Sequence, residues 1–288
     1  MTVRQALDAV FQQEGINFVL TNRIPRRLAT RFMGWFSRIE HPVVRSASIA
    51  VLQLFAGDLH LEEARTTSFA SMHDCFIREL KPGARPIDGG SNTLVSPCDA
   101  IVGASGRIVD GRLIQAKGFW YTLDELVADR RLADRYREGT YATLRLTASM
   151  YHRFHAPSDC DVESVHHIPG DTWNVNPVAL KRVPRLFCRN ERVVINARLH
   201  DTNEPITLVA VGAILVASIR LSFLDLAADD RSGPRIVRCR ASFRRGEEMG
   251  YFEHGSTILV FGSRQLGLAP AVREGERMRM GEPLFVHS

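Results

Sequence analysis

The sequence predicts an α+β protein, with amphipathic helices at the N-terminus followed by a mostly antiparallel β core. Three observations carry this expectation. Over the first sixty residues apolar side chains recur at helical spacing, with Leu28, Phe32, Trp35, Phe36 and Ile39 on one face. From about Thr93 the pattern changes to short β-prone runs broken by Gly, Asp and Pro. With 288 residues, 45% hydrophobic and 24% charged, the chain can bury a large core, which excludes disordered and fibrous classes.

The helical region is expected to span residues 1–65 and the β core residues 66–288. Arg26, Arg27, Arg31 and Arg38 flank the first apolar face, Pro42 breaks it, and Val43, Ala47, Ala50 and Leu54 open a second. A basic amphipathic helix carrying Trp and Phe suits a lipid interface. It equally suits packing on the protein's own core with its arginines in solvent. Leu94-Val95 and Ile101-Val102 flank a turn at Pro97-Cys98-Asp99, and Asp110-Gly111 is a hairpin pair between Ile108 and Leu113. Further strands are predicted over 140–147, 161–168, 192–199, 207–219, 235–243 and 257–261, and a helix over 122–136.

A net charge of +5 and a pI near 9.2 point to an acidic partner, either nucleic acid or an anionic lipid surface. Five scattered cysteines without a CxxC pair argue against a disulfide framework or a zinc knuckle, and a reduced cytoplasmic setting is the simplest expectation. Residues 1–15 lack a basic start followed by an apolar core, so no secretory signal is expected. The longest apolar run, 206–219, is shorter than a membrane span and reads as core strand.

Four features can carry chemistry. His152 and His155, within Tyr151-His152-Arg153-Phe154-His155, share a face in a helical turn but oppose each other on a strand, so they can serve two separate sites. Two ordinary core histidines are the plainer reading, and His166-His167 has only that one. Asp99, on its turn, can orient a histidine as in a Ser-His-Asp arrangement, or simply bond its own backbone. Gly246 to Phe252 is a charged turn re-entering a strand. It leads into His254-Gly255-Ser256-Thr257 and the apolar run that follows. Glycine before serine permits unusual backbone angles, so the serine oxygen can attack the preceding carbonyl and exchange amide for ester. Elimination of the ester then leaves dehydroalanine at the new N-terminus, which water hydrolyses to a pyruvoyl group with loss of ammonia. Gly262-Ser263 is a second pair of the same type.

Together these segments resemble the phosphatidylserine decarboxylase family in its bacterial proenzyme form. The likeness runs from about Phe76 to Val286 and includes Phe76 to Lys81, Arg85-Pro86-Ile87, Ser96-Pro97-Cys98-Asp99 and Gln115-Ala116-Lys117-Gly118. It continues through the Tyr151 to His155 motif, Pro169-Gly170-Asp171, Asn190 to Val194 and Gly246 to Thr257. The resemblance implies self-cleavage between Gly255 and Ser256 into chains 1–255 and 256–288. It implies Ser256 as the source of a covalent pyruvoyl cofactor, Asp99 and His155 as triad residues, and His152 in decarboxylation. The pyruvoyl group would form a Schiff base with phosphatidylserine, release CO₂ and give phosphatidylethanolamine, with no metal required. It further implies a peripheral membrane protein on the cytoplasmic face, bound to an anionic surface and not to nucleic acid. The two cleavage chains are expected to stay associated, and a homodimer is compatible with the sequence.

Three positions depart from the family pattern: His254 where an apolar residue usually precedes Gly-Ser, Met150 before Tyr-His, and Ala217 in place of a common glycine. Two rival enzyme readings use the same residues. One is a hydrolase with Ser256, His155 and Asp99; the other is a metal site of His152, His155 and Asp99. A Gly-x-Ser-x-Gly elbow and a His-Glu-x-x-His motif are both missing from the sequence, which disfavours them. The non-enzymatic alternative is a lipid- or nucleic-acid-binding protein using the basic N-terminal face.

Overall fold

A computed structural model describes residues 13–116, 119–214, 219–226, 233–253 and 257–287. Three helices open it: Glu14–Asn22, Arg26–Phe36 and Pro42–Ala56, the last with proline at its first position, where no intrahelical N–H is needed. The second helix is fastened at both ends. Arg26 pairs with Asp171 at 2.6 Å and stacks over Trp173, and just beyond the helix Arg38 pairs with buried Glu253 at 2.8 Å. Two arginines expected to face solvent or lipid are therefore tethers. They leave Leu28, Phe32 and Trp35 63%, 58% and 64% exposed on the outer face.

The β core centres on an eight-stranded antiparallel sheet. Its order is β11 (Arg235–Phe243), β7 (Cys160–Ile168), β8 (Arg192–Leu199), β9 (Pro205–Val211), β13 (Thr257–Gly262), β5 (Thr140–Arg145), β2 (Ala100–Arg107), β15 (Arg277–Met278). Both faces are covered. Ile258 and Val260 of β13 point into one apolar cluster, and Leu259 and Phe261 into the other. The strands therefore read as continuous apolar runs and not as apolar–polar alternation.

One face carries two three-stranded sheets, β1 (Thr93–Val95) with β16 (Pro283–His287) and β14 (Leu266–Leu268), and β10 (Ile219–Leu221) with β12 (Glu248–Phe252) and β6 (Arg153–His155). The other face carries short helices and the hairpin of β3 (Arg112–Ala116) and β4 (Phe119–Thr122). Asp110 and Gly111, with φ of 52° and 71°, make the primed turn expected between Ile108 and Leu113.

Two predicted elements are interrupted. The run 207–219 stops as β9 at Val211, because Gly212 turns away: its N–H donates to the Glu191 carbonyl and its carbonyl accepts from the Asn190 amide. The helix over 122–136 divides into Leu123–Val127 and Arg130–Asp134. Ala128 adopts a left-handed conformation, and the Asp129 side chain caps the second piece.

Candidate functional site

β13 gives the site its address. At its first residue, Thr257 lies opposite Arg145, the last residue of β5, and Val211, the last residue of β9. Arg145 faces Ile101 at the start of β2, and Asp99 immediately precedes that strand. The turn before Asp99 also receives β6, since the His155 N–H donates to the Pro97 carbonyl at 2.8 Å. β12, paired with β6, delivers the chain to Glu253. Asp99 and Thr257 thus lie at one end of the large sheet, His155 is joined to the turn before Asp99, and β12 brings Glu253 up beside His152. His254, Gly255 and Ser256, the sequence-predicted cleavage segment, lie outside the described residues. The competing pair sits elsewhere. Gly262 closes β13 at its far end, roughly 17 Å away by the rise of a strand, and Ser263 donates to Glu204 at 3.1 Å in a local turn.

His155 is buried, and its ring is held from both sides. Nδ1 lies 2.9 Å from the Gly246 carbonyl, and Nε2 lies 3.0 Å from the Tyr151 hydroxyl. A carbonyl only accepts, so Nδ1 carries the proton and Nε2 accepts from Tyr151. Burial pushes the imidazole down to about 4. The Gly246 carbonyl opposes that shift, Arg153 adds to it, and Asp99 opposes it at longer range.

Asp99 was expected to orient His155, or else to bond its own turn, and it does neither. Arg85 grips its carboxylate with two hydrogen bonds, Nε to Oδ1 at 2.8 Å and Nη2 to Oδ2 at 2.6 Å, and the Met280 N–H donates to Oδ1 at 2.9 Å. Arg85 also pairs with Glu63 at 2.8 Å. The flat guanidinium fork matches a carboxylate better than an imidazole edge does, so Asp99 joins the N-terminal segment, the β2 turn and the Met280 loop.

His152, wholly buried, occupies different surroundings. Its Nδ1 lies 2.8 Å from the Met150 carbonyl, its ring packs 4.0 Å from that of Phe76, and its own carbonyl accepts from the Phe252 N–H. The two histidines therefore serve separate environments, as a strand permits. Glu253 meets Arg38 at 2.8 Å and Arg220 at 3.4 Å. Near it, burial lowers the pKa of His73, with Glu253 opposing. Sequence reasoning passed over Arg85 and Tyr151 as site residues, although both stand inside motifs it quoted. Glu253 and Arg38 left no local signal. Among the described residues the grouping spaced to share a metal ion is Asp58, His60 and Glu62, and His152, His155 and Asp99 do not converge in that way.

The model of the phosphatidylserine decarboxylase family matches residues 72–286. The phosphatidylserine decarboxylase proenzyme of Aliivibrio salmonicida is 35% identical over 284 residues, covering 92% of this chain and 92% of the relative. That of Vibrio cholerae is 36% identical over 275 residues, covering 90% and 94%. That of Dickeya dadantii is 34% identical over 284 residues, covering 93% and 91%.

Proposed function

Because the chain belongs to the phosphatidylserine decarboxylase family, we propose that it converts phosphatidylserine to phosphatidylethanolamine with a pyruvoyl group made from Ser256. The observation that supports this is that Asp99, with His155 joined to its turn, comes through β2 and β5 to the Thr257 end of β13, one residue beyond Ser256. The residues present fit such a group. Thr257 is fixed between β5 and β9, so a ketone at the head of β13 would sit on a rigid strand. When formed, that group supplies the electron sink for loss of CO₂.

The chain's own residues divide the proton work. His155, neutral at physiological pH, takes the hydroxyl proton of Ser256 on Nε2 during maturation, once the Tyr151 hydroxyl turns its own proton away from that nitrogen. Asp99 steadies the resulting charge through space while anchoring Arg85. His152 holds the proton needed at the substrate α-carbon. A hydrolytic triad is less well supported, because the Asp99 carboxylate is spent on Arg85 and makes no bond to His155.

No described helix is long and apolar enough to cross a membrane. The exposed Leu28, Phe32 and Trp35 favour peripheral attachment instead, by burial of their apolar surface in an anionic lipid surface at the cytoplasmic face. The test is intact mass combined with CO₂ release. The wild type should give chains 1–255 and 256–288 and decarboxylate phosphatidylserine. Ser256→Ala should stay whole and inactive, whereas Ser263→Ala should mature normally. A Ser256→Ala protein that still splits would remove the proposed bond.

A further inference from the structure

Burial lowers the pKa of three arginines, Arg78, Arg192 and Arg145. Two of them have carbonyl partners. Arg78 donates to the oxygens of Leu59, Cys75 and Ser149, and Arg192 to those of Leu126, Cys188, Asn190 and Glu125. Arg145 differs: among the described residues its guanidinium has neither a hydrogen-bond acceptor nor a carboxylate, and burial alone acts on it. Arg145 is only half-buried, and a partly desolvated cation of this kind gains when an anion joins it.

Its neighbours are in a matching state. Thr257, directly opposite on β13, is 0% exposed, and its Oγ1 has no hydrogen-bond partner. Thr143, two residues earlier on β5, has a buried Oγ1 in the same condition. Opposed residues and alternate residues share a sheet face. Arg145 and two unspent hydroxyls therefore share one face of the sheet, starting one residue after Ser256.

We infer that Arg145, with the Thr257 and Thr143 hydroxyls, is the receptor for the phosphodiester of the lipid substrate. This rests on the reading of Ser256 as the pyruvoyl residue. The substrate offers two anions, and the chemistry selects between them. The carboxylate loses its charge as CO₂ departs, so an arginine holding it would stabilise the ground state against the transition state. The phosphodiester keeps its charge throughout, so binding it anchors the headgroup equally before and during reaction. A short methylene–oxygen link separates phosphorus from the reacting carbon, which suits a receptor adjacent to the head of β13.

The test uses full-length protein matured in the cell, short-chain phosphatidylserine, and dimethyl phosphate as a probe that carries neither amine nor carboxylate. Arg145→Gln should self-cleave normally and raise KM roughly ten- to hundredfold, the range expected for charge-assisted hydrogen bonds, with kcat within about twofold. Arg145→Lys should recover much of that loss. Dimethyl phosphate should compete with substrate in the wild type, and its ³¹P signal should broaden on adding wild-type protein but not Arg145→Gln. Unchanged KM, or a fall in kcat at constant KM, overturns the inference, as does competition by acetate in place of dimethyl phosphate. Should Arg145→Gln fail to mature, the wild-type competition and the Lys variant still decide. A wild type that binds dimethyl phosphate yet releases no CO₂ would instead sink the proposed function and leave the anion site standing.

Discussion

A buried imidazole with a depressed pKa should show itself in the pH dependence of maturation. If His155 accepts the Ser256 proton, the precursor matures in proportion to its neutral fraction. Held down to about 4, His155 loses only about 10% of that fraction between pH 7 and pH 5, whereas an ordinary imidazole near 6.5 would lose it about 25-fold. The groups facing the ring are the Gly246 carbonyl, Tyr151, Arg153 and, at longer range, Asp99. The measurement is the rate at which freshly translated precursor splits, followed by gel between pH 5 and pH 7. His254→Leu is the background, so that a histidine beside the scissile bond does not add its own titration. A drop of more than about tenfold at pH 5 would refute the assignment of His155 as the buried base.

The same shift acts on stability. Between about pH 4 and 6.5 the unfolded chain binds a proton at His155 that the folded chain does not. Stability therefore rises with pH across that window, is complete above it, and falls by about 3 kcal/mol on descending through it.

Three other outcomes are expected. Asp99→Ala strips Arg85 of its bidentate partner, and Glu63 offsets only part of the loss; a destabilisation of about 3 kcal/mol is expected by urea melting, and an unchanged midpoint would show Asp99 to be no anchor. His152→Ala should still yield both chains and a pyruvoyl group that reacts with hydroxylamine, yet release little CO₂; blocked cleavage would assign it to maturation instead. Phe32 and Trp35 leave roughly 100 Å² of ring surface each in solvent, worth about 2 kcal/mol on transfer to lipid, so the double Ser variant should sediment at least tenfold less with anionic liposomes. Undiminished sedimentation would move membrane attachment to another surface.

Features set by neighbouring residues were legible in the sequence, and those set by distant pairing were not. The apolar stripe Leu28, Phe32, Trp35 stated a helix, and Asp110-Gly111 stated a hairpin, because both depend on local spacing. The stop at Gly212 depends on hydrogen bonds from residues some twenty positions away, so the run 207–219 read as unbroken. At the site, the motifs singled out His152, His155 and Asp99 but gave no sign that Asp99 bonds Arg85. Arg85 and Asp99 are joined by fold geometry that no periodicity records. Arg145 reads as a plain strand residue until its register against Thr257 is known.

β13 lies between β9 and β5, hydrogen-bonded along both edges, and β16 lies between β1 and β14. The piece released by a break before Thr257 would thus be an interior stave of one sheet and the middle of another. Such a piece is interlocked with its parent and cannot leave without unfolding it. The order of events follows: the whole sheet must assemble from one continuous chain before the bond is cut. A terminus created there would be held as a captive splice, which the separate fragments could not rebuild by simple docking.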